Sequence, residues 1–334
     1  MILTPWVLGL TLGSVVSLLL LFRAAIPAAV ILVRGEDGHS RRQLVLEKQE
    51  MLGSTILSLA GMYYLASPFF LSASAFDLGR QIPGAMCALG TFNANAFGFP
   101  LLMMRMCGIF LIMAWLALYA LDKEDVNTPN REKRRVLLVF LAAWMTGDTL
   151  VQSLFFQNLD PSGATSCCAV VFDPTGGPGA SPAGFLARFP GMRLFSAAGV
   201  LYAATGAWGL MRRKRRMILV YGLISPFFFF FGVAAMISCI SPYIYALPHH
   251  HCPFCILTGK EGILGIPLAL LLYGGTVSGW KAGLMELFSG TGNPGGPAGK
   301  KIKKYAVVSV FANAAYVLGG VMIVALYRIF GQLI

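Results

Sequence analysis

Residues 212–239 read RRKRRMILVYGLISPFFFFFGVAAMISC, which is five basic residues followed by 23 residues without a charge. A membrane-spanning helix needs about 20 consecutive apolar residues, so this stretch predicts a span that follows a basic loop. The pattern recurs along the chain, and the sequence predicts eight transmembrane helices. They cover residues 5–32, 52–72, 97–121, 136–156, 192–211, 217–239, 262–280 and 305–330.

Composition supports an all-α integral membrane protein. Of 334 residues, 57% are hydrophobic and 12% are charged, and the mean hydropathy is +0.71. Soluble domains carry about 25% charged residues, so a soluble enzyme and a disordered chain are excluded. The net charge of +12 does not predict nucleic-acid binding, because the basic residues lie in short loops between apolar runs. The expected partner of the apolar surface is the lipid bilayer.

The basic residues also predict which way the protein faces. Alternate loops hold 19 Lys and Arg residues, whereas the loops on the opposite side hold five. The basic residues of the first set lie within residues 34–48, 123–135, 212–216 and 281–304. Basic loops stay in the cytoplasm, so both termini and the less basic loops are predicted to be extracytoplasmic. We expect a bacterial inner (plasma) membrane protein.

Two short patterns predict a tandem repeat. Residues 63–70 (YYLASPFF) share the pattern Y-x3-S-P-F-F with residues 221–228, and residues 98–101 share G-x-P-L with residues 265–268. The implied plan is two four-helix repeats of the same orientation, with ordered outer loops. The predicted divisions are residues 1–157 with the Cys87 loop, an outer loop over 158–191, and residues 192–334.

The predicted outer side gathers soft metal ligands. Cys87, Cys167, Cys168, Cys252 and Cys255 lie in outer loops, and His249, His250 and His251 directly precede Cys252. Thiols beside imidazoles suit copper or zinc. The first hypothesis is therefore binding or transfer of a copper-like ion, exchanged with an extracytoplasmic carrier protein. Its candidate ligands are His249, His250, His251, Cys252, Cys255, Cys167 and Cys168.

The second hypothesis uses the same cysteines for redox chemistry. The tetrapeptide Cys252-Pro253-Phe254-Cys255 resembles the active site of glutaredoxins. A C-x-x-C at the outer end of a span, together with loop cysteines, resembles the quinone-linked disulfide-forming membrane enzymes and the vitamin K epoxide reductase group, which are smaller four-helix bundles. That resemblance implies that Cys252 and Cys255 are catalytic, exchange disulfides with Cys87, Cys167 or Cys168, and pass electrons to a quinone.

The third hypothesis is an accessory subunit of a membrane complex with structural disulfides, which are common in oxidising compartments. No histidine lies within a predicted span, so no haem between helices is expected.

The clearest ionisable residues inside predicted spans are Arg105 and Asp148. Arg105 and Asp148 are each about 12 Å from the outer end of their helices at 1.5 Å per residue. Charges inside a membrane are usually paired or functional. We predict an ion pair between them, with either a structural role or a proton or ion step.

Overall fold

The computed structural model describes residues 4–34, 41–85, 87–123, 130–160, 165, 186–187, 189–212, 214–247, 250–257, 262–289 and 296–331. Within these ranges the chain is helical, without a β-strand. Eight of the described helices are long and apolar enough to cross a membrane. The all-α membrane architecture predicted from the sequence is thereby confirmed.

Ten α-helices follow one another along the described chain. They are α1 (Pro5–Arg34), α2 (Arg41–Gly79), α3 (Ala88–Asn93), α4 (Gly98–Asp122), α5 (Arg131–Gln157), α6 (Met192–Met211), α7 (Arg215–Ala235), α8 (Ser241–Ile244), α9 (Gly262–Phe288) and α10 (Pro297–Phe330). A π-helical turn, Met236–Ile240, joins α7 to α8, and a 3-10 helix, Cys255–Leu257, precedes α9.

Several helices extend beyond the predicted apolar segments. Helix α2 begins eleven residues before residue 52, where the sequence predicts the span. Ion pairs stabilise the extension, because Glu50 lies 2.9 Å from Arg135 and 3.2 Å from Arg134 on α5. Hydropathy detects only the part of a helix that crosses hydrocarbon, so a charged extension of the same helix is not predicted by it.

The chain divides into two compact units. Unit 1 comprises Met1–Leu78 and Phe92–Pro161, and unit 2 comprises Gly79–Thr91 and Ser162–Ile334. The division by sequence assigned the Cys87 loop to the first half, whereas the structure groups that loop with unit 2.

Unit 1 is a ring of four long helices. Helix α5 packs against both α1 and α4. Helix α2 closes the ring: its Tyr63 hydroxyl donates to the carbonyl oxygen of Leu10 on α1, and its Gly61 faces Ile112 on α4. Small residues allow the close approach, since a Cβ on Gly53 would meet the backbone of Ala24.

Unit 2 is also a ring of four long helices. Helix α6 packs against α7, α7 against α9, α9 against α10, and α10 against α6. Helices α7 and α9 pack closely where Gly222 faces Gly283. The buried side chains of Tyr221 and Asn313 meet the Ser309 hydroxyl, which donates to the carbonyl oxygen of Gly275 at 2.6 Å. This polar core fixes the helices that carry the cysteine segments.

Candidate metal centre

Three cysteine sulfurs of unit 2 lie together. The Sγ atoms of Cys87, Cys252 and Cys255 are all within 4.8 Å of one another, and we call these residues the thiol cluster. Cys87 and Cys252 are buried and Cys255 is half-buried. The sulfurs of Cys87 and Cys252 are 3.4 Å apart, which is hydrogen-bonding distance and longer than the 2.05 Å or so of a disulfide.

Cys87 is positioned by a tight loop that follows α2. Gly84 adopts a φ of +82°, a conformation that glycine reaches without strain. Thr165 holds both sides of the loop: its N–H donates to the carbonyl oxygen of Pro83 at 3.2 Å, and its hydroxyl donates to that of Gly90 at 3.1 Å. These contacts explain why the Cys87 loop belongs to unit 2.

Cys252 is positioned by the end of the sixth span. The hydroxyl of Ser241 lies 3.1 Å from the carbonyl oxygens of both His250 and Cys252. Between them, Nδ1 of His251 lies 2.9 Å from the carbonyl oxygen of Ile237 in the π-helical turn. The backbone is thus fixed on both sides of His251, and the Cys252 side chain is fully buried.

Cys255 begins the 3-10 helix Cys255–Leu257, one turn after Cys252. The fully buried Ile256 anchors this turn, and its carbonyl oxygen occupies the space that a Cβ on Gly265 would need. Glycine at the start of α9 therefore lets the cysteine-bearing segment pack directly on the helix. The C-x-x-C spacing then brings Cys252 and Cys255 to the same side of the turn, beside Cys87.

The cluster has the dimensions of a thiolate metal site. Sulfurs bound at about 2.3 Å to one ion are roughly 3.8 Å apart in a tetrahedral site and roughly 4.0 Å apart in a trigonal one. One observed separation is 3.4 Å and the other two are at most 4.8 Å, which is compatible with both values. Shifts of less than an ångström would allow all three sulfurs to bind one ion.

The structure brings together some of the site residues predicted from the sequence. Cys252 and Cys255 are in the cluster, as is Cys87, which the sequence marked only as an exchange partner. His250 and His251 lie outside the 4.8 Å group, and the ring of His250 packs against Tyr245 at 4.1 Å between centroids. His249, Cys167 and Cys168 lie outside the described residues.

The sequence contained a pattern that relates the Cys87 loop to the Cys255 loop. Cys87 precedes Gly98 by eleven residues and Cys255 precedes Gly265 by ten. Each glycine lies in the first turn of a long helix, and each lies against a carbonyl group of the short helix before it, from Phe92 and Ile256 respectively. The offset pointed to corresponding loops, but it did not show that the two loops meet.

The predicted ion pair in unit 1 is confirmed. Nη2 of Arg105 lies 2.8 Å from a carboxylate oxygen of Asp148, and both side chains are essentially inaccessible. The same guanidinium donates to Oε1 of Gln152 at 2.6 Å, and the Ser14 hydroxyl donates to that oxygen at 3.1 Å. The pair ties α4 to α5, and Gln152 links it to α1.

Comparison of the chain with protein-family models, with curated proteins and with solved structures finds no match. The fold and the site define the class: an all-helical membrane protein with a cluster of three thiols, two of them buried.

Proposed function

We propose that the protein binds a soft or borderline metal ion, with copper the best candidate, and that the thiol cluster holds it. The observation that carries this proposal is the convergence of Cys87 with Cys252 and Cys255, across 165 residues of sequence, to within 4.8 Å. Thiolate sulfur is the preferred ligand of Cu(I), and zinc also accepts it. Binding would displace the thiol protons, so metal affinity would rise with pH.

Further donors are proposed from the flanking segments. Thr165 is bonded to the Cys87 loop and stands two residues before Cys167 in the sequence. That attachment supports Cys167 or Cys168 as a fourth ligand, which zinc would require more than Cu(I) does. His249 remains a proposed donor on sequence grounds.

The cluster is proposed to lie on the extracytoplasmic side of a bacterial inner membrane. The support is the distribution of basic residues, 19 on one set of loops against five on the other. In that position the ion would come from, or pass to, an extracytoplasmic carrier protein.

The four long helices of unit 1 and the four long helices of unit 2 are proposed to be tandem repeats of one four-helix plan. In each unit the four long helices pack in a ring in chain order. Gly98 and Gly265 lie in the first turn of the third long helix of their units, and each contacts a carbonyl group of a preceding short helix. Under this plan the Cys87 and Cys255 loops are equivalent segments of the two repeats.

Metal analysis of variants tests the function. Protein purified without chelator, loaded with Cu(I) and desalted should hold one ion per chain, and Cys87→Ser, Cys252→Ser or Cys255→Ser should each remove it. Cys107→Ser is the matched control, because Cys107 lies within α4 in unit 1, and it should bind as the wild type does. Retention of the ion by all three cluster variants would contradict the proposal and favour an accessory subunit with structural cysteines.

Thiol–disulfide exchange is the second candidate, favoured by the 3.4 Å between the sulfurs of Cys87 and Cys252. Two thiols would lose two protons and two electrons to form the S–S bond, and a quinone would take up both to become a quinol. Adding a short-chain quinone to the metal-free protein should then remove two thiols per chain and produce one quinol. No loss of thiols would eliminate this candidate and leave the metal proposal intact.

A further inference from the structure

The π-helical turn before the thiol cluster places Pro242 where a helical donor for the carbonyl group of Ile237 would stand. In this turn the N–H of Ser241 donates to the carbonyl oxygen of Met236, five residues earlier. The next donor in that register for the carbonyl oxygen of Ile237 would be Pro242, which has no N–H. A buried carbonyl group needs a donor, and the imidazole of His251 is placed 2.9 Å away.

That contact determines which nitrogen of His251 can bind a metal. A carbonyl oxygen only accepts hydrogen bonds, so the proton must be on Nδ1. In a neutral imidazole the lone pair is then on Nε2. Metal-binding histidines commonly donate their second ring nitrogen to a backbone carbonyl in this manner.

His251 stands next to the cluster without belonging to it. It directly precedes Cys252, and the Ser241 hydroxyl fixes the backbone on both sides of it. His251 is half-buried whereas Cys252 is fully buried, so the imidazole is more accessible than the sulfur. The other described histidine of the triplet, His250, has its ring packed on Tyr245.

We propose that His251 is the exchange ligand of the site: its Nε2 takes a copper ion from an external donor and passes it to the sulfurs of the thiol cluster. This rests on the proposed metal-binding function. Imidazole is a good ligand for copper but a harder one than thiolate, so a Cu(I) ion held by it would move on to the sulfurs. The three thiols would form the final site, and His251 would determine how fast it fills.

The test separates loading rate from final affinity. The full-length protein in detergent is mixed with the Cu(I)–bicinchoninate complex, and metal transfer is followed by the loss of the chelator's colour. His251→Asn keeps an N–H near the position of Nδ1, for the Ile237 carbonyl group, and lacks the Nε2 donor. We expect this variant to load at least ten-fold more slowly, to the wild-type stoichiometry of one ion per chain, with an unchanged melting temperature. His250→Asn is the matched control and should load at the wild-type rate.

Other outcomes have definite meanings. Loading of His251→Asn at the wild-type rate would overturn the exchange role and leave His251 as a structural residue. Loss of bound copper at equilibrium, as expected for Cys252→Ser, would make His251 a permanent ligand and would also overturn it. Failure of the wild-type protein to bind Cu(I) at all would instead refute the proposed function.

Discussion

Replacing Arg105 with leucine should destabilise unit 1 strongly, because it leaves Asp148 as a buried charge without its partner. The guanidinium lies 2.8 Å from the carboxylate, and the side chains are 0% and 1% exposed. Removing one partner of a buried ion pair typically costs about 3–5 kcal/mol, most of it from the stranded charge. The single substitutions Arg105→Leu and Asp148→Leu should each fall in this range.

The double substitution should be less harmful than either single one. Arg105→Leu combined with Asp148→Leu removes both charges and replaces them with apolar groups, a change that is often neutral or even stabilising. We therefore expect the double variant to recover at least about 2 kcal/mol relative to Arg105→Leu alone. Some loss should remain, because Gln152 also gives up its 2.6 Å hydrogen bond to the guanidinium.

The assay is unfolding in mixed micelles with increasing SDS, followed by tryptophan fluorescence. The control pair is Arg131 and Glu47 on α5 and α2, which are 3.5 Å apart and 30% and 28% exposed. Breaking this exposed pair should cost less than about 1 kcal/mol. The reasoning is refuted if Arg105→Leu costs no more than the control, or if the double substitution costs at least the sum of the two single ones.

Three further predictions concern the helices and the site. Gly265→Ala should lower the melting temperature and the copper affinity, because the added Cβ would collide with the carbonyl oxygen of Ile256. Gly274→Ala in the same helix is the control: its Cβ would meet nothing within 4 Å, so the change should be neutral or slightly stabilising. The second prediction tests topology with single cysteines introduced into a protein without its native cysteines. In intact cells, Gly191→Cys should react with an impermeant thiol reagent and Glu132→Cys should not, although both positions are exposed in the structure. Labelling of Glu132→Cys would overturn the predicted topology. Ser241→Ala should weaken Cu(I) binding roughly five-fold, because it removes about 1 kcal/mol of hydrogen bonding to the backbone at Cys252. The affinity is measured by competition with bicinchoninate. Unchanged affinity would show that Ser241 does not hold the Cys252 segment in place.

The eight spans were predictable from the sequence because burial in hydrocarbon imposes a local pattern. A run such as residues 217–239 predicts a helix without any knowledge of its neighbours. The ends of the helices were less predictable. The extension of α2 depends on Glu50 meeting Arg134 and Arg135, and that ion pairing is a tertiary contact.

The sequence predicted two of the three cysteines of the thiol cluster as metal ligands, Cys252 and Cys255, but not Cys87. The concentration of thiols and imidazoles indicated Cys252 and Cys255 from neighbouring residues alone. Cys87 joins them only through folding, since Thr165 and the loop at Gly84 bring it across 165 residues of sequence. His251 lies apart from the sulfurs because its imidazole contacts the carbonyl oxygen of Ile237 in the π-helical turn. Hydropathy does not predict such a turn.

The most direct test of copper binding by the thiol cluster is X-ray absorption spectroscopy of the Cu(I)-loaded protein. Binding by Cys87, Cys252 and Cys255 predicts a first shell of three sulfur atoms at about 2.3 Å from the metal. Cys87→Ser changes the ligand that is most distant in sequence from the other two, and it should remove the bound copper together with this sulfur shell. A shell of nitrogen and oxygen atoms, or a spectrum unchanged by Cys87→Ser, would contradict the assignment.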